Sequence, residues 1–381
     1  MIFTARHIAV LSSIAIFAVL GIAWWLFSIP TQTAGREPQP ASPLEAMIGQ
    51  MIIVGFDGET AEHSGVQSVA GQIADNKVGG VLLLGRNVQS ASQLSALTDF
   101  LNRQPASRKP FIAIDQEGGK VQRLRNIDGI AQWSSAVEVA EQNSAVRKDY
   151  AFDYYADRAR DLRGLGINFN LGPVVDLNIN PGNPIIGKLD RSYSEDPQTV
   201  TELAGAFVRA HRLANVLTSL KHFPGHGSSK VDSHYELPDI TVTWDKAELE
   251  PYVALAQADM IDTVMTGHLV HNAFSDLPDI PVSLSRKGMS ALRAIIGDRP
   301  VIITDDLQMR AILDHQSDEE AAVRAVLAGN DLLVFSSHQR AEPGLGDRIN
   351  LAIRKAVDEG RVPVETVARS YLRILALKKA I

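Results

Sequence analysis

Eight short apolar runs, most of them followed by a segment of helical character, constrain this chain more than any other feature. They are MIIVGF (51–56), GGVLLLG (79–85), FIAID (111–115), INFNLGPVVD (167–176), VLTSLKHF (216–223), TVMTGHL (263–269), VIITDDL (301–307) and DLLVFSS (331–337). Most begin continuously apolar, as strands covered on both faces of a parallel sheet do. Helical segments fall between them at 92–102, 151–166, 199–215 and 285–297, with Gly164, Gly166 and Gly297 where helix C-caps are wanted. Strand–helix alternation implies a parallel sheet, and eight strands is the number that closes. The expectation is an α/β chain: a single (β/α)8 TIM-type barrel over residues 44–381, ending in one amphipathic helix over 362–381.

The first residues read as a separate object. Residues 8–29, IAVLSSIAIFAVLGIAWWLFSI, carry no formal charge. As a helix rising ~1.5 Å per residue they would reach about 33 Å, enough to cross a hydrocarbon core. Trp24 and Trp25 stand at the far end, and Arg6 and His7 at the near end. That order suits an N-terminal transmembrane anchor with its N-terminus inside and the barrel outside the cytoplasm, on the periplasmic side. A cleaved signal peptide is the alternative, although its apolar region is usually shorter. Residues 30–43, punctuated by Pro30, Pro38, Pro40 and Pro43, read as an extended linker.

Composition excludes several classes. There is no Cys, which removes disulfide scaffolds, thiolate metal sites and cysteine nucleophiles. A net charge of -7 argues against a nucleic-acid partner.

Polar residues recur where the apolar runs end. Asp115, Asp176, Lys221, His222, His268, Asp305 and Asp306 each stand at or just past such an end. In a barrel those ends share one face, where active sites are built. Folding alone does not explain them, because desolvating these groups is costly.

The most informative stretch is KHFPGHGSSKVDSH (221–234). Pro224, Gly225 and Gly227 make it a loop. Asp232 and His234, two apart in extended backbone, point the same way, so the carboxylate can fix the imidazole tautomer and favour its charged form. His234 then suits proton donation and acceptance near neutral pH. A surface loop with incidental histidines is one alternative. A metal site on His222, His226, Asp232 and His234 is another, although their spacing lacks helical logic.

In VIITDDLQM (301–309), Asp305 directly follows an apolar run and could act as a nucleophile. Asp306 reads as a helix-start carboxylate. In AIDQEGGKVQRLR (113–125), Asp115 with Arg123 offers carboxylate plus guanidinium for paired hydroxyls, or a structural ion pair at a tight turn. Arg191, in NPIIGKLDRSYSEDP (183–197), is a substrate clamp or a loop anchor. His268 and His271 are candidates for a site or satisfied structural groups. No phosphate-binding glycine loop is present.

Four ordered motifs, DQEGGKVQR, NPIIGKLDRSY, KHFPGHGSSKVDSH and TDDLQM, carry a family resemblance. The chain resembles glycoside hydrolase family 3, in its bacterial β-N-acetylglucosaminidase (β-hexosaminidase) branch, over about residues 44–381. The resemblance implies a TIM barrel, a retaining two-step mechanism, no cofactor and no metal. It implies Asp305 as nucleophile, His234 as acid/base with Asp232 beside it, and sugar binding by Asp115, Arg123, Arg191, Lys221 and His222. Lys120 and the Ser194–Glu195 step depart from the family pattern.

The function expected is removal of terminal β-linked N-acetylglucosamine (GlcNAc) from murein- or chitin-derived saccharides by a membrane-tethered exo-β-N-acetylhexosaminidase. Outside the anchor only Trp133 and Trp244 could act as sugar platforms, too few for a long polysaccharide groove. Phosphorolysis of the same bond is an alternative, since an imidazole repels phosphate less than a carboxylate does. A tethered, catalytically silent sugar-binding barrel is the other.

Overall fold

Each of the eight apolar runs contributes one strand: β1 (Ile52–Gly55), β2 (Gly80–Leu83), β3 (Phe111–Ile114), β4 (Phe169–Asn170), β5 (Leu217–Phe223), β6 (Thr263–Thr266), β7 (Val301–Asp306) and β8 (Leu332–Phe335). They pair in chain order, all in parallel, and the circle closes where Ile52, Ile53 and Val54 of β1 meet Leu333, Val334 and Phe335 of β8. This is the (β/α)8 barrel. The computed structural model describes residues 44–381 apart from 126, 146–148 and 339–340. The expected anchor (8–29) and linker (30–43) lie outside the described residues. Among those described, no helix is long and apolar enough to cross a membrane.

The apolar runs form strands because both faces are covered. Every residue of β1 to β6 and β8 is buried; in β7 the first four are buried and Asp305 and Asp306 are partly so. Fully burying one Ile, Leu or Phe stabilises by about 1.5–3 kcal/mol, so these runs drive closure. Strand four is much shorter than its ten-residue run. Pro173 has no N–H to give to a ladder, and beyond Asn170 pairing continues only through single contacts such as Val174 with Lys221.

Polar signals set the helix limits. Ser90 accepts from the Gln93 amide and Gln93 returns the contact, starting Ala91–Asn102. Ser285 caps Arg286–Ile296, which ends at Gly297 in the left-handed region (φ 74°). Gly166, not Gly164, adopts positive φ after Tyr150–Gly164. The terminal segment forms Val364–Leu377 and then a short 3-10 turn.

The N-terminal ends of the strands are closed by Leu44–Gly49 and Val364–Leu377, which pack together. Buried Lys378 donates to Gln50 Oε1, Gly79 O and Lys109 O, each at 2.8 Å. Its ammonium also lies 4.2 Å from the centre of the Phe111 ring. The opposite end carries the polar residues.

Candidate active site

At the carboxyl ends of β3 and β5, four charges interlock. Lys221, the fifth residue of β5, is buried and reaches Asp115 Oδ1 at 2.9 Å and Glu117 Oε1 at 2.6 Å. Glu117 is gripped from its other side by Arg191, whose Nε and Nη2 each donate at 2.8 Å. Burial would favour a neutral Glu117, but Arg191 and Lys221 outweigh it and hold its carboxyl far below the usual range. Burial likewise opposes the Arg191 charge, and Glu117 more than restores it. Arg191 Nη1 is spent on the Ile185 carbonyl. Asp115 and Arg123, 3.5 Å apart, remain partly exposed, with side-chain exposures of 19% and 31%. Among these groups they are the pair a ligand can reach.

A second knot lies at the exits of β4 and β5. Fully buried Asp176 accepts from the His222 ring Nδ1 at 2.7 Å and from the amides of His222 and His226 at 2.9 and 2.8 Å. Burial works against its charge, and His222 and His226 reverse that, so its carboxyl sits below the ordinary value. With Nδ1–H committed to Asp176, His222 presents Nε2, 3.5 Å from Arg191 Nη2.

β7 delivers Asp305 to the same face. Its Oδ1 accepts from the Asp306 amide at 2.8 Å. Burial favours the neutral acid, yet His222, His268, that amide and His234 together hold the carboxyl at about 2. Asp305 is therefore an ionised, partly buried carboxylate. Its neighbour Asp306 is pushed up to about 6 by burial despite accepting from Ser336 Oγ, the Ser336 amide (2.9 Å) and the Gln308 amide (3.0 Å). Asp306 thus stitches the end of β7 to the end of β8. Beneath Asp305, buried His268 donates from Nε2 to the Asp306 carbonyl (2.8 Å), so its Nδ1 accepts from Ser283 Oγ (2.7 Å).

The loop leaving β5 is pinned at its base. Glu248 accepts from the Leu177 and Gly227 amides, both at 2.9 Å, and Asn183 Nδ2 donates to the His226 carbonyl at 2.7 Å. Only glycine fits at 227: a Cβ there would stand 1.7 Å from the Leu177 carbonyl oxygen. Farther out, Asp232 Oδ1 accepts from the His234 amide (2.8 Å) and from its ring Nδ1 (2.7 Å). Nδ1–H is thereby fixed on the carboxylate side and Nε2 is free for proton transfer. The His234 side chain is 60% exposed, so the dyad stands at the open rim of the barrel.

A conserved-domain model described as "Glycosyl hydrolase family 3 N terminal domain" matches residues 43–377. The chain belongs to glycosyl hydrolase family 3. Among similar proteins is "Beta-hexosaminidase A" of Pseudoalteromonas piscicida, 32% identical over 377 residues, covering 91% of this chain and 62% of that protein. "Beta-hexosaminidase LpqI" of Mycobacterium tuberculosis is 32% identical, covering 92% of this chain and 87% of its own length. A solved family 3 β-N-acetylglucosaminidase from a Paenibacillus species superposes with a TM-score of 0.80 at 33% identity, covering 89% of this chain and 63% of that one. The chain thus spans less than two thirds of the Pseudoalteromonas and Paenibacillus proteins.

Seen as a family 3 barrel, the predicted site residues group unevenly. Asp115, Lys221 and Arg123 form one cluster; His222 and Asp305 line the same face; Asp232 and His234 form a pair on the loop above. Arg191 bonds Glu117 and the Ile185 carbonyl, with Nη2 3.5 Å from His222 Nε2. The His222, His226 and His234 rings each have a partner of their own, namely Asp176, Ser233 and Asp232. Among the described residues no group of such side chains converges as a metal ion would require. His271 packs against Trp244 and Phe274, with ring centres 4.8 and 5.0 Å away, and accepts from the Ala273 amide. Of the two tryptophans, Trp133 is buried, and the partly exposed Trp244 donates to the Pro224 carbonyl while packing on Phe274.

Sequence reasoning missed Glu117 and gave Asp176 no role. Glu117 had one available signal, a carboxylate in a glycine turn two residues after Asp115. The apolar cover that makes Asp176 a buried hub comes from segments distant in the chain.

Proposed function

We propose that this family 3 barrel is a retaining exo-acting β-N-acetylhexosaminidase that removes terminal β-linked GlcNAc from murein- or chitin-derived saccharides. Asp305 attacks C1 and forms a glycosyl ester while protonated His234 gives its Nε2 proton to the departing oxygen. His234 then takes a proton from water, which cleaves the ester. Asp232 holds the ring tautomer and stabilises the imidazolium. Asp115 and Arg123 supply hydroxyl contacts, with Lys221 behind Asp115, His222 beside them and Arg191 holding Glu117 in place.

One observation carries this reading: a partly buried, ionised Asp305 at a strand end and an Asp-paired imidazole on the loop above the same face. Retention requires two such groups on opposite sides of C1. The names of the relatives agree with it. The test is release of p-nitrophenol from its β-GlcNAc glycoside, set against the β-glucose and β-GalNAc analogues. Full activity in both Asp305→Ala and His234→Ala would sink the proposal, as would a trapped sugar esterified to a residue other than Asp305.

The charge-free run at 8–29 supports a further part of the reading, that the barrel is tethered to a membrane outside the cytoplasm. Protease added to spheroplasts would then degrade the barrel; protection of the barrel would refute the tethered, exported placement.

A further inference from the structure

The turn carrying Asp232 and His234 is almost detached from the rest of the protein. Within residues 232–236 the backbone and carboxylate contacts are local: His234 N and Nδ1 to Asp232 Oδ1, and the Tyr235 and Glu236 amides to the Asp232 carbonyl at 3.0 and 3.2 Å. One side-chain hydrogen bond leaves this turn among the described residues. It joins Ser233 Oγ to His226 Nε2 at 3.2 Å. Ser233 lies between the two members of the dyad and is buried, while His234 and Tyr235 on the same turn are exposed.

His226 is held from below. Its amide is on Asp176 and its carbonyl on Asn183, and the ring is 1% exposed. Its Nδ1 is buried with no partner. A buried bare lone pair costs less than a buried unpaired N–H, so the proton belongs on Nε2, which donates to Ser233 Oγ. Burial and nearby His222 outweigh Asp176 and keep the ring neutral, with its pKa lowered to about 4.

We propose that His226 and Ser233 form a latch that seats the Asp232–His234 pair over the barrel mouth. Both are positioning residues: neither touches the sugar, and both act through His234. Asp176 links the latch to His222, so the acid/base loop and the sugar-facing imidazole share one buried support. This inference rests on the acid/base assignment of His234.

The test uses the full chain and two substrates, p-nitrophenyl β-GlcNAc and N,N′-diacetylchitobiose. A nitrophenolate leaves with little protonation, whereas a sugar hydroxyl needs it. Ser233→Ala is expected to lower kcat/KM for diacetylchitobiose roughly tenfold while changing it less than twofold for the nitrophenyl glycoside. Added azide, which attacks the glycosyl ester without a base, should raise the variant's turnover of the nitrophenyl glycoside. Ser233→Thr keeps the hydroxyl and should restore most of the loss. His226→Ala should reproduce the pattern, and the double variant should be no worse than the more impaired single one. Thermal unfolding of each variant separates misfolding from misplacement. Equal losses on both substrates, no loss on either, or additive losses in the double variant would overturn the latch. His234→Ala separates the two ideas. If it shows the leaving-group dependence and Ser233→Ala does not, only the latch falls; if His234→Ala lacks it, the acid/base assignment falls and the latch with it.

Discussion

Glu117 and Arg191 face each other through two hydrogen bonds of 2.8 Å, 74 residues apart in sequence. Lys221 closes the group at 2.6 Å from Glu117. Removing one member of a buried ion cluster leaves the others uncompensated, which costs about 3–5 kcal/mol. Glu117→Ala should therefore lower stability by that order and raise KM, because Lys221 and Asp115 lose their registration. Urea unfolding and steady-state kinetics read both effects. An unchanged KM in a folded variant would mean that the cluster supports the fold alone.

Asp305 and Asp306 should push stability in opposite directions with pH. The Asp305 carboxyl is depressed to about 2 in the fold, so its contribution is present above about pH 4 and is lost as pH falls toward 2. The Asp306 carboxyl is raised to about 6. Its contribution is present below about pH 4 and is lost as pH rises through 6, on the order of 3 kcal/mol at most. Asp306→Asn should flatten the pH 4–7 dependence of the urea midpoint relative to the parent. An identical dependence in both proteins would contradict this.

Activity carries a related expectation. Asp305 stays ionised throughout ordinary assay conditions. Any loss of kcat/KM between pH 7 and 5 must then come from other groups, and the acid limb should fall well above pH 3. A limb near pH 2–3 alone would assign it to Asp305.

Asp176 accepts one imidazole and two amide hydrogens while fully buried. Asp176→Ala strands three donors and should cost several kcal/mol, since each unsatisfied buried donor costs about 1–3 kcal/mol. Asp176→Asn should fold better but let His222 change tautomer, so kcat/KM should fall at least tenfold. Wild-type kinetics in the Asn variant would remove His222 from the site.

At the opposite end of the barrel, Phe111 packs against Phe169 with ring centres 5.6 Å apart. Phe111→Ala should destabilise by about 3–5 kcal/mol. It should leave the kcat of the folded protein unchanged, because it is remote from Asp305. A large kcat change would show that the barrel transmits strain along its length.

The barrel was legible because strands covered on both faces read as apolar runs, and all eight carry their own signal. Strand four reads too long, since an apolar count does not register that Pro173 has no N–H to give to a ladder. In the site, Asp305 at a strand end was legible from position; the Asp232–His234 contact was expected from extended backbone, but a turn brings the two together, with the Tyr235 amide on the Asp232 carbonyl. Whether Arg191 meets a sugar or a carboxylate was not legible, because its partner Glu117 comes from another βα loop. The tryptophans were equally opaque: composition counts them, but only packing shows that Trp133 is buried and that Trp244 leans on Phe274 and His271.

The closure of the barrel base has a consequence for rewiring the chain. Leu44–Gly49 packs on Val364–Leu377, and Lys378 bonds beside Gln50. The two ends of this unit are therefore neighbours on the side remote from Asp305. A short bridge could join them and new termini could be opened in another surface loop on that side, giving a circularly permuted barrel whose chemistry is undisturbed.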